Sequence, residues 1–140
     1  MTDTSLMLGL SGLLLFAIGL LLGFAIPLFR NTRMALSAHL TAAQTGPTLI
    51  AIALFWQYCA VPTAWEGPLA LALGASSYNL VFGIALAALT GASNALPMAG
   101  KGYRASAFAE RVVTVLVGGS SIIMMAAIGC LCWFASLGLA

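Results

Sequence analysis

The feature that most restricts this chain is a run from Ser5 to Phe29 that contains no charged side chain. An apolar run of this length can cross the hydrocarbon core of a bilayer as a helix. Only 6% of the 140 residues are charged and 62% are hydrophobic, whereas about a quarter of the residues of a soluble domain are charged. The chain has too few polar side chains to cover a water-soluble domain. The sequence therefore predicts an integral membrane protein.

Three more apolar segments follow the first run, and short polar connections separate them. Within a bilayer a chain must pair its own backbone groups, so each segment is expected to be a helix. We predict one transmembrane domain over residues 1–140 with an all-α fold, an integral membrane four-helix bundle. The stretch Val61–Pro68, with two prolines and a glycine, is expected to break the chain between the second and third helices. The predicted spans are residues 5–29, 34–59, 69–90 and 107–137.

The few charged residues are segregated along the chain. Basic residues occur in or beside the first and third connections, at Arg30, Arg33, Lys101, Arg104 and Arg111. Acidic residues Asp3 and Glu66 fall on the opposite side of the predicted spans. Since basic loops face the cytoplasm, we expect an inner-membrane protein with both basic connections in the cytoplasm. The basic residues flank spans and form no patch, so no nucleic-acid partner is expected.

Polar side chains interrupt two of the predicted spans. Thr41, Gln44, Thr45 and Thr48 share one face of the second helix by their i, i+3, i+4, i+7 spacing. Hydrogen bonding between helices explains such a face, and so does a site within the membrane. On the third helix, Asn79 needs hydrogen-bond partners once it is buried. It either bridges two helices or faces a ligand.

The only histidine of the chain, His39, lies on the second helix. At about 100° per residue it points away from Thr41 and Thr48. A floor of small residues leaves room for something broad and flat, and a haem with a histidine axial ligand has that shape. A hydrogen-bonded histidine at the membrane interface stays open as the alternative. The small residues on the side of His39 are Ala35, Ala42, Ala43 and Gly46.

Three segments, in order and with matching spacing, resemble the small membrane hydroxylaminobenzene mutases. RMALSAHLTAAQTG resembles their R-x-x-L-x-x-H-L-x-x-x-x-x-G segment, and SSYNLVFGIALAALTGA resembles their third helix, which contains F-A-N. LPMAGKGYR followed by Glu110 is similar to their M-P-L-A-x-G-x-R…E connection. The histidine also occurs in the more distant styrene oxide isomerases. The chain departs from the mutases at Thr41 and Thr45, where they have an acidic residue and an asparagine, and from the styrene oxide isomerases at Gly83, where they have a tyrosine.

The resemblance implies a ferric haem b-dependent isomerase embedded in the membrane. Its reaction would be a redox-neutral, Lewis-acid rearrangement of an aryl hydroxylamine to an aminophenol, or of a related arene such as an epoxide. His39 would hold the iron, with Ala42, Ala43 and Gly46 beside the cofactor. We assign the orientation of a small aromatic substrate to Asn79, Thr45 and Tyr78.

The resemblance also implies a homo-oligomer, with a trimer favoured, surrounded by membrane lipid. An oligomer is also expected because the helix glycines offer more close-approach surface than four short helices need internally. These glycines are Gly19, Gly23, Gly118, Gly119 and Gly129. Two other functions stay open. The chain could be a non-catalytic haem-binding membrane protein, or a helical membrane assembly subunit in which His39 caps a helix.

Overall fold

A computed structural model describes residues 2–138 of the chain. Over these residues it contains four long α-helices and no strand. Two short 3₁₀ turns, Ile26–Leu28 and Trp56–Tyr58, extend the first and second helices. The prediction of an all-α four-helix fold is confirmed. The helices are α1 (Asp3–Ala25), α2 (Thr32–Phe55), α3 (Thr63–Thr90) and α4 (Ala107–Gly138).

Three of the four helices are long and apolar enough to cross a membrane, judged by length and composition. They are the stretch Asp3–Leu28, which contains α1, and the helices α3 and α4. Helix α2 has 24 residues, a sufficient length for a span. Its polar side chains, among them Thr41, Gln44 and Thr48, make it less apolar than the others. Thus α2 differs in composition from its neighbours.

Helix α3 begins earlier than the sequence predicted. The expected break over Val61–Pro68 is shorter, because the helix starts at Thr63 and continues through Pro68. Pro62 occupies the N-cap with extended backbone, a conformation that its ring allows. Pro68 removes one hydrogen bond, to the Ala64 carbonyl, but this carbonyl lies at an exposed helix end. One lost bond there does not break the helix.

Glycines bring α1 and α2 into close contact. A Cβ atom placed on Gly12 would lie 2.6 Å from the carbonyl oxygen of Gly46, and one placed on Gly46 would lie 2.7 Å from the Gly12 oxygen. Farther along, a Cβ on Gly19 would lie 3.0 Å from the Cβ of Ala42. Since any side chain at these positions would collide, glycine is what permits the backbones to approach. Helix α3 packs against both α2 and α4.

The five helix glycines that predict close approach differ in their surroundings within the chain. Gly19 and Gly23 pack within the chain, against Ala42 and His39, so these two glycines let α1 and α2 approach closely. A Cβ atom on any of three glycines in the body of α4 would meet nothing within 4 Å among the described residues. These open positions are Gly118, Gly119 and Gly129.

The two basic connections meet at one end of the bundle, which we call the basic end. Arg30 Nη1 donates to the Thr90 carbonyl at 2.8 Å, and Arg33 Nη2 donates to the Lys101 carbonyl at 2.6 Å. Asn31 is fully buried; its side-chain oxygen caps α2 and its Nδ2 donates to a carbonyl of the α3–α4 connection at 3.0 Å. These bonds tie the start of α2 to the end of α3.

Candidate functional site

Helix α1 fixes the orientation of the His39 ring. The Nδ1 atom lies 2.7 Å from the carbonyl oxygen of Gly19. Because a carbonyl oxygen only accepts hydrogen bonds, Nδ1 carries the proton and donates it. In a neutral imidazole Nε2 then keeps its lone pair, which is the form that binds metals. The ring also lies over Gly23, where a Cβ atom would come within 2.9 Å of Nδ1.

The predicted floor of small residues beside His39 is not open. Ala42 is 0% exposed and Gly46 is buried, because α1 packs directly over both through Gly12 and Gly19. A flat cofactor therefore cannot lie on Ala42 and Gly46, and the structure contradicts this part of the prediction. The small residues on this side of α2 form a contact between helices, because small side chains also let two helices approach closely. Ala43 is half-buried.

Tyr78 lies between α3 and α1. Its hydroxyl group donates to the Ser11 carbonyl at 2.7 Å. Beside this bond, a largely apolar groove of about 440 Å³ runs between the N-terminal part of α1 and the second to fifth turns of α3. Tyr78 and Ser11 both line the groove. Other residues that line it are Met7, Leu8, Ala70, Leu71 and Gly74.

Asn79 lies on the outer surface of the chain. Its side chain is exposed, and so is Phe82 on the same side of α3. By contrast Ser77 is 0% exposed, and at 100° per residue Asn79 lies about 160° away from it around the helix. The amide therefore points away from the core of the bundle, near the middle of α3.

The predicted site residues do not converge within one chain. His39 contacts Gly19 and Tyr78 contacts Ser11, so the two sites are eight residues of α1 apart, roughly 12 Å at 1.5 Å per residue. Thr45 is half-buried and lies about 120° around α2 from His39. Within the described residues, the candidates occupy separate faces.

Sequence reasoning missed the role of Glu110, in the first turn of α4. Its carboxylate accepts hydrogen bonds from the backbone N–H groups of Ser93 at 3.0 Å, Asn94 at 3.0 Å and Ala105 at 3.3 Å. The side chain is only 9% exposed. Glu110 thus holds the α3–α4 connection in place at the basic end. The signal was present, because a lone acidic residue follows a polar connection and begins an apolar helix.

A multi-ligand metal centre is not found in the part of the chain that the structure describes. No group of three or more His, Cys, Asp or Glu side chains there could hold a metal ion. His39 is therefore a candidate for single axial ligation of a cofactor, not for a site built from several protein ligands.

The chain is all-helical over the described residues, with three helices apolar enough to cross a membrane and one histidine in a fixed orientation. The sequence profile of the styrene oxide isomerase family matches residues 4–136, and the chain belongs to this family. It is similar to hydroxylaminobenzene mutase HabA of Ectopseudomonas oleovorans, with 40% identity over 108 residues, 76% of this chain and 80% of the relative. Hydroxylaminobenzene mutase HabB of the same organism is 29% identical over 126 residues, 87% and 75% of the two chains. No solved structure matches the chain significantly.

These comparisons confirm two predictions from the sequence. The recognised family is correct, because both the profile and the two mutases cover most of the chain. The enzyme class is also confirmed, since styrene oxide isomerases and hydroxylaminobenzene mutases are isomerases.

Proposed function

We propose that the protein is a membrane-embedded, haem b-dependent isomerase that converts an aryl hydroxylamine to an aminophenol. The observation that carries the proposal is the hydrogen bond from His39 Nδ1 to the Gly19 carbonyl, which leaves Nε2 for iron. The 40% identity to HabA over most of both chains favours a hydroxylamine over an epoxide. We assign the departures from the mutase pattern at Thr41 and Thr45 to the choice of substrate.

The surroundings of His39 fit an axial ligand. Ligating histidines generally donate their second ring nitrogen to a carbonyl or carboxylate, and this fixes the ring and raises its basicity. On the surface of α2 the neighbours of His39 at i−3 and i+4 are Leu36, 45% exposed, and the half-buried Ala43. The cofactor would lie over this outer apolar surface and not over Ala42 and Gly46.

The reaction requires little of the protein beyond binding and positioning. Substrate and product are isomers: the hydroxyl group moves from nitrogen to a ring carbon, that carbon loses a proton, and nitrogen gains one. No external reductant or oxidant is consumed. Ferric haem held by His39 would supply a Lewis acid that weakens the N–O bond of the substrate. His39 and the Gly19 carbonyl keep the ligand in one orientation, and the apolar helices exclude water from the reacting groups.

Asn79 completes the site in this proposal from a neighbouring copy of the chain. An exposed amide near the middle of a spanning helix has no hydrogen-bond partner in hydrocarbon. In a homo-oligomer, with a trimer favoured, it would face the next subunit and orient a substrate bound there. Tyr78 has a different role, because its hydroxyl proton is already donated to Ser11. We assign Tyr78 to the packing of α1 against α3.

The location that we propose is the inner membrane, with the basic end in the cytoplasm. Three helices that are apolar enough to cross a membrane support the embedding. The hydrogen bonds of Arg30 to the last residue of α3 and of Arg33 to the α3–α4 connection support a single basic side. Reporter fusions to the C-terminus should be active outside the cytoplasm, and activity restricted to the cytoplasm would contradict this orientation.

The experiment that tests the function uses the purified protein in mild detergent. Hydroxylaminobenzene is added anaerobically without a reductant, and aminophenol is quantified by chromatography. We expect conversion by the wild-type protein and none by His39→Ala; styrene oxide serves as the second substrate. Haem-loaded protein that converts neither compound would overturn the proposal and favour a non-catalytic haem-binding protein.

A further inference from the structure

Helix α2 carries polar side chains on a face that no part of the described chain covers fully. We call Ser37, Thr41, Gln44 and Thr48 the α2 polar stripe. Their spacing of four, three and four residues places them within about 60° of one another around the helix. Gln44 and Thr48 are exposed, and Ser37 and Thr41 are half-buried. The stripe lies on the side of α2 roughly opposite Gly46, which faces α1.

Gln44 is the residue of the stripe that needs an external partner. It lies at the middle of α2, twelve residues after Thr32 and eleven before Phe55. Thr48 satisfies its hydroxyl group within its own helix by donating to the Gln44 carbonyl at 2.8 Å. A carboxamide has two N–H donors and an acceptor oxygen, which its own helix cannot satisfy together. Exposed to hydrocarbon, these groups would cost several kcal/mol each.

The composition of the helices indicates what covers the stripe. The other three helices are apolar enough to face lipid, and α2 is the exception. Since α1 and α3 cover two sides of α2, the stripe occupies the side that remains. This pattern indicates that α2 lies inside an assembly, with the apolar helices around it. The partner of the stripe is thus protein and not lipid.

We propose that the α2 polar stripe is a seam between copies of this chain, with Gln44 carboxamides hydrogen-bonded to one another. In a closed cyclic assembly whose axis is perpendicular to the membrane, a residue near the axis meets its own copies at the same depth. A carboxamide both donates and accepts, so it is complementary to itself. The seam centres on Gln44, which the proposed reaction does not use, so the seam does not depend on that reaction.

Disulfide cross-linking tests the seam directly. In a background with Cys59, Cys130 and Cys132 replaced by alanine, Gln44→Cys should form a covalent dimer in native membranes oxidised with copper phenanthroline. Leu21→Cys is the matched control, because Leu21 is 67% exposed on α1, away from the stripe. We expect the control to stay monomeric. No dimer at Gln44→Cys, or equal dimer at both positions, would overturn the seam.

Association of the purified protein gives a second, independent measurement. Gln44→Leu suits a membrane helix and should fold, but it removes the amide. Interhelical hydrogen bonds in membranes contribute modestly, so the dissociation constant should rise about 3- to 20-fold. Gln44→Asn, which keeps a carboxamide, should recover part of the loss. Light scattering over a dilution series measures this, and an unchanged dilution profile for Gln44→Leu would contradict the proposal whatever the isomerase activity of the variant.

Discussion

Replacement of Gly12 by alanine tests the close contact on which the position of His39 depends. The added Cβ atom would lie 2.6 Å from the Gly46 oxygen, 2.9 Å from the Cβ of Leu49 and 3.1 Å from Cγ1 of Ile50. Two of these neighbours are backbone or Cβ atoms, which cannot rotate away. The helices must separate, and the α1–α2 contact must loosen along its length.

Two opposing effects set the change in the free energy of unfolding that Gly12→Ala causes. Overpacking a close contact costs about 1–3 kcal/mol, whereas alanine in a helix interior gains about 1 kcal/mol over glycine. The control Gly129→Ala has the same gain without the collision, because a Cβ atom on Gly129 meets nothing within 4 Å. The difference between the two variants therefore isolates the steric cost, and it should be about 1–3 kcal/mol.

Titration with sodium dodecyl sulfate in mixed micelles measures the free energy of unfolding of each variant. Gly12→Ala should unfold at a lower detergent fraction than Gly129→Ala, and cofactor binding at His39 should weaken in parallel. If both variants are equally stable, the two helices are not in backbone contact. The orientation of His39 by α1 would then lose its structural basis.

Three further substitutions give separate predictions. Glu110→Gln should destabilise the protein by about 1–3 kcal/mol, because an amide has one acceptor oxygen and cannot accept all the backbone N–H bonds of the carboxylate. Backbone hydrogen exchange in the α3–α4 connection should become faster, and unchanged exchange would contradict this role of Glu110. Tyr78→Phe should cost about 0.5–1.5 kcal/mol in the same detergent titration while haem stays bound, so loss of haem would refute its structural role. Gly23→Ala should displace the His39 ring and lower haem affinity about 10- to 100-fold in a haem titration; wild-type affinity would show that the ring does not lie over Gly23.

The fold could be predicted from the sequence because the bilayer permits few alternatives. Long uncharged runs in a chain with 6% charged residues require helices. The start of α3 could not be predicted, because Pro68 reads as a helix breaker unless the helix end is known to be exposed. The pattern of apolar runs therefore predicts the number of helices, whereas the exposure of the backbone before Pro68 determines where α3 begins.

The site was predicted less completely, for a physical reason. A helical pattern gives the direction of a side chain but not what the neighbouring helix covers. Small residues around His39 suit a flat cofactor and a close helix contact equally well, and for Ala42 and Gly46 the contact is what the structure shows. His39 kept its candidate role because its hydrogen bond to Gly19 orients it. The position of α1 over α2 decides between a cofactor surface and a helix contact, and the sequence of α2 alone does not predict that position.

The central claim is that His39 holds the iron of a haem, and an absorption spectrum tests it most directly. Wild-type protein and His39→Ala are expressed with ample haem, purified in mild detergent and compared at equal protein concentration. We predict a ferric haem b Soret band in the wild type that His39→Ala loses or shifts strongly, while the variant keeps the circular dichroism of a helical protein. A His39→Ala protein with a wild-type Soret band and full isomerase activity, or a colourless wild type that is active, would contradict the claim.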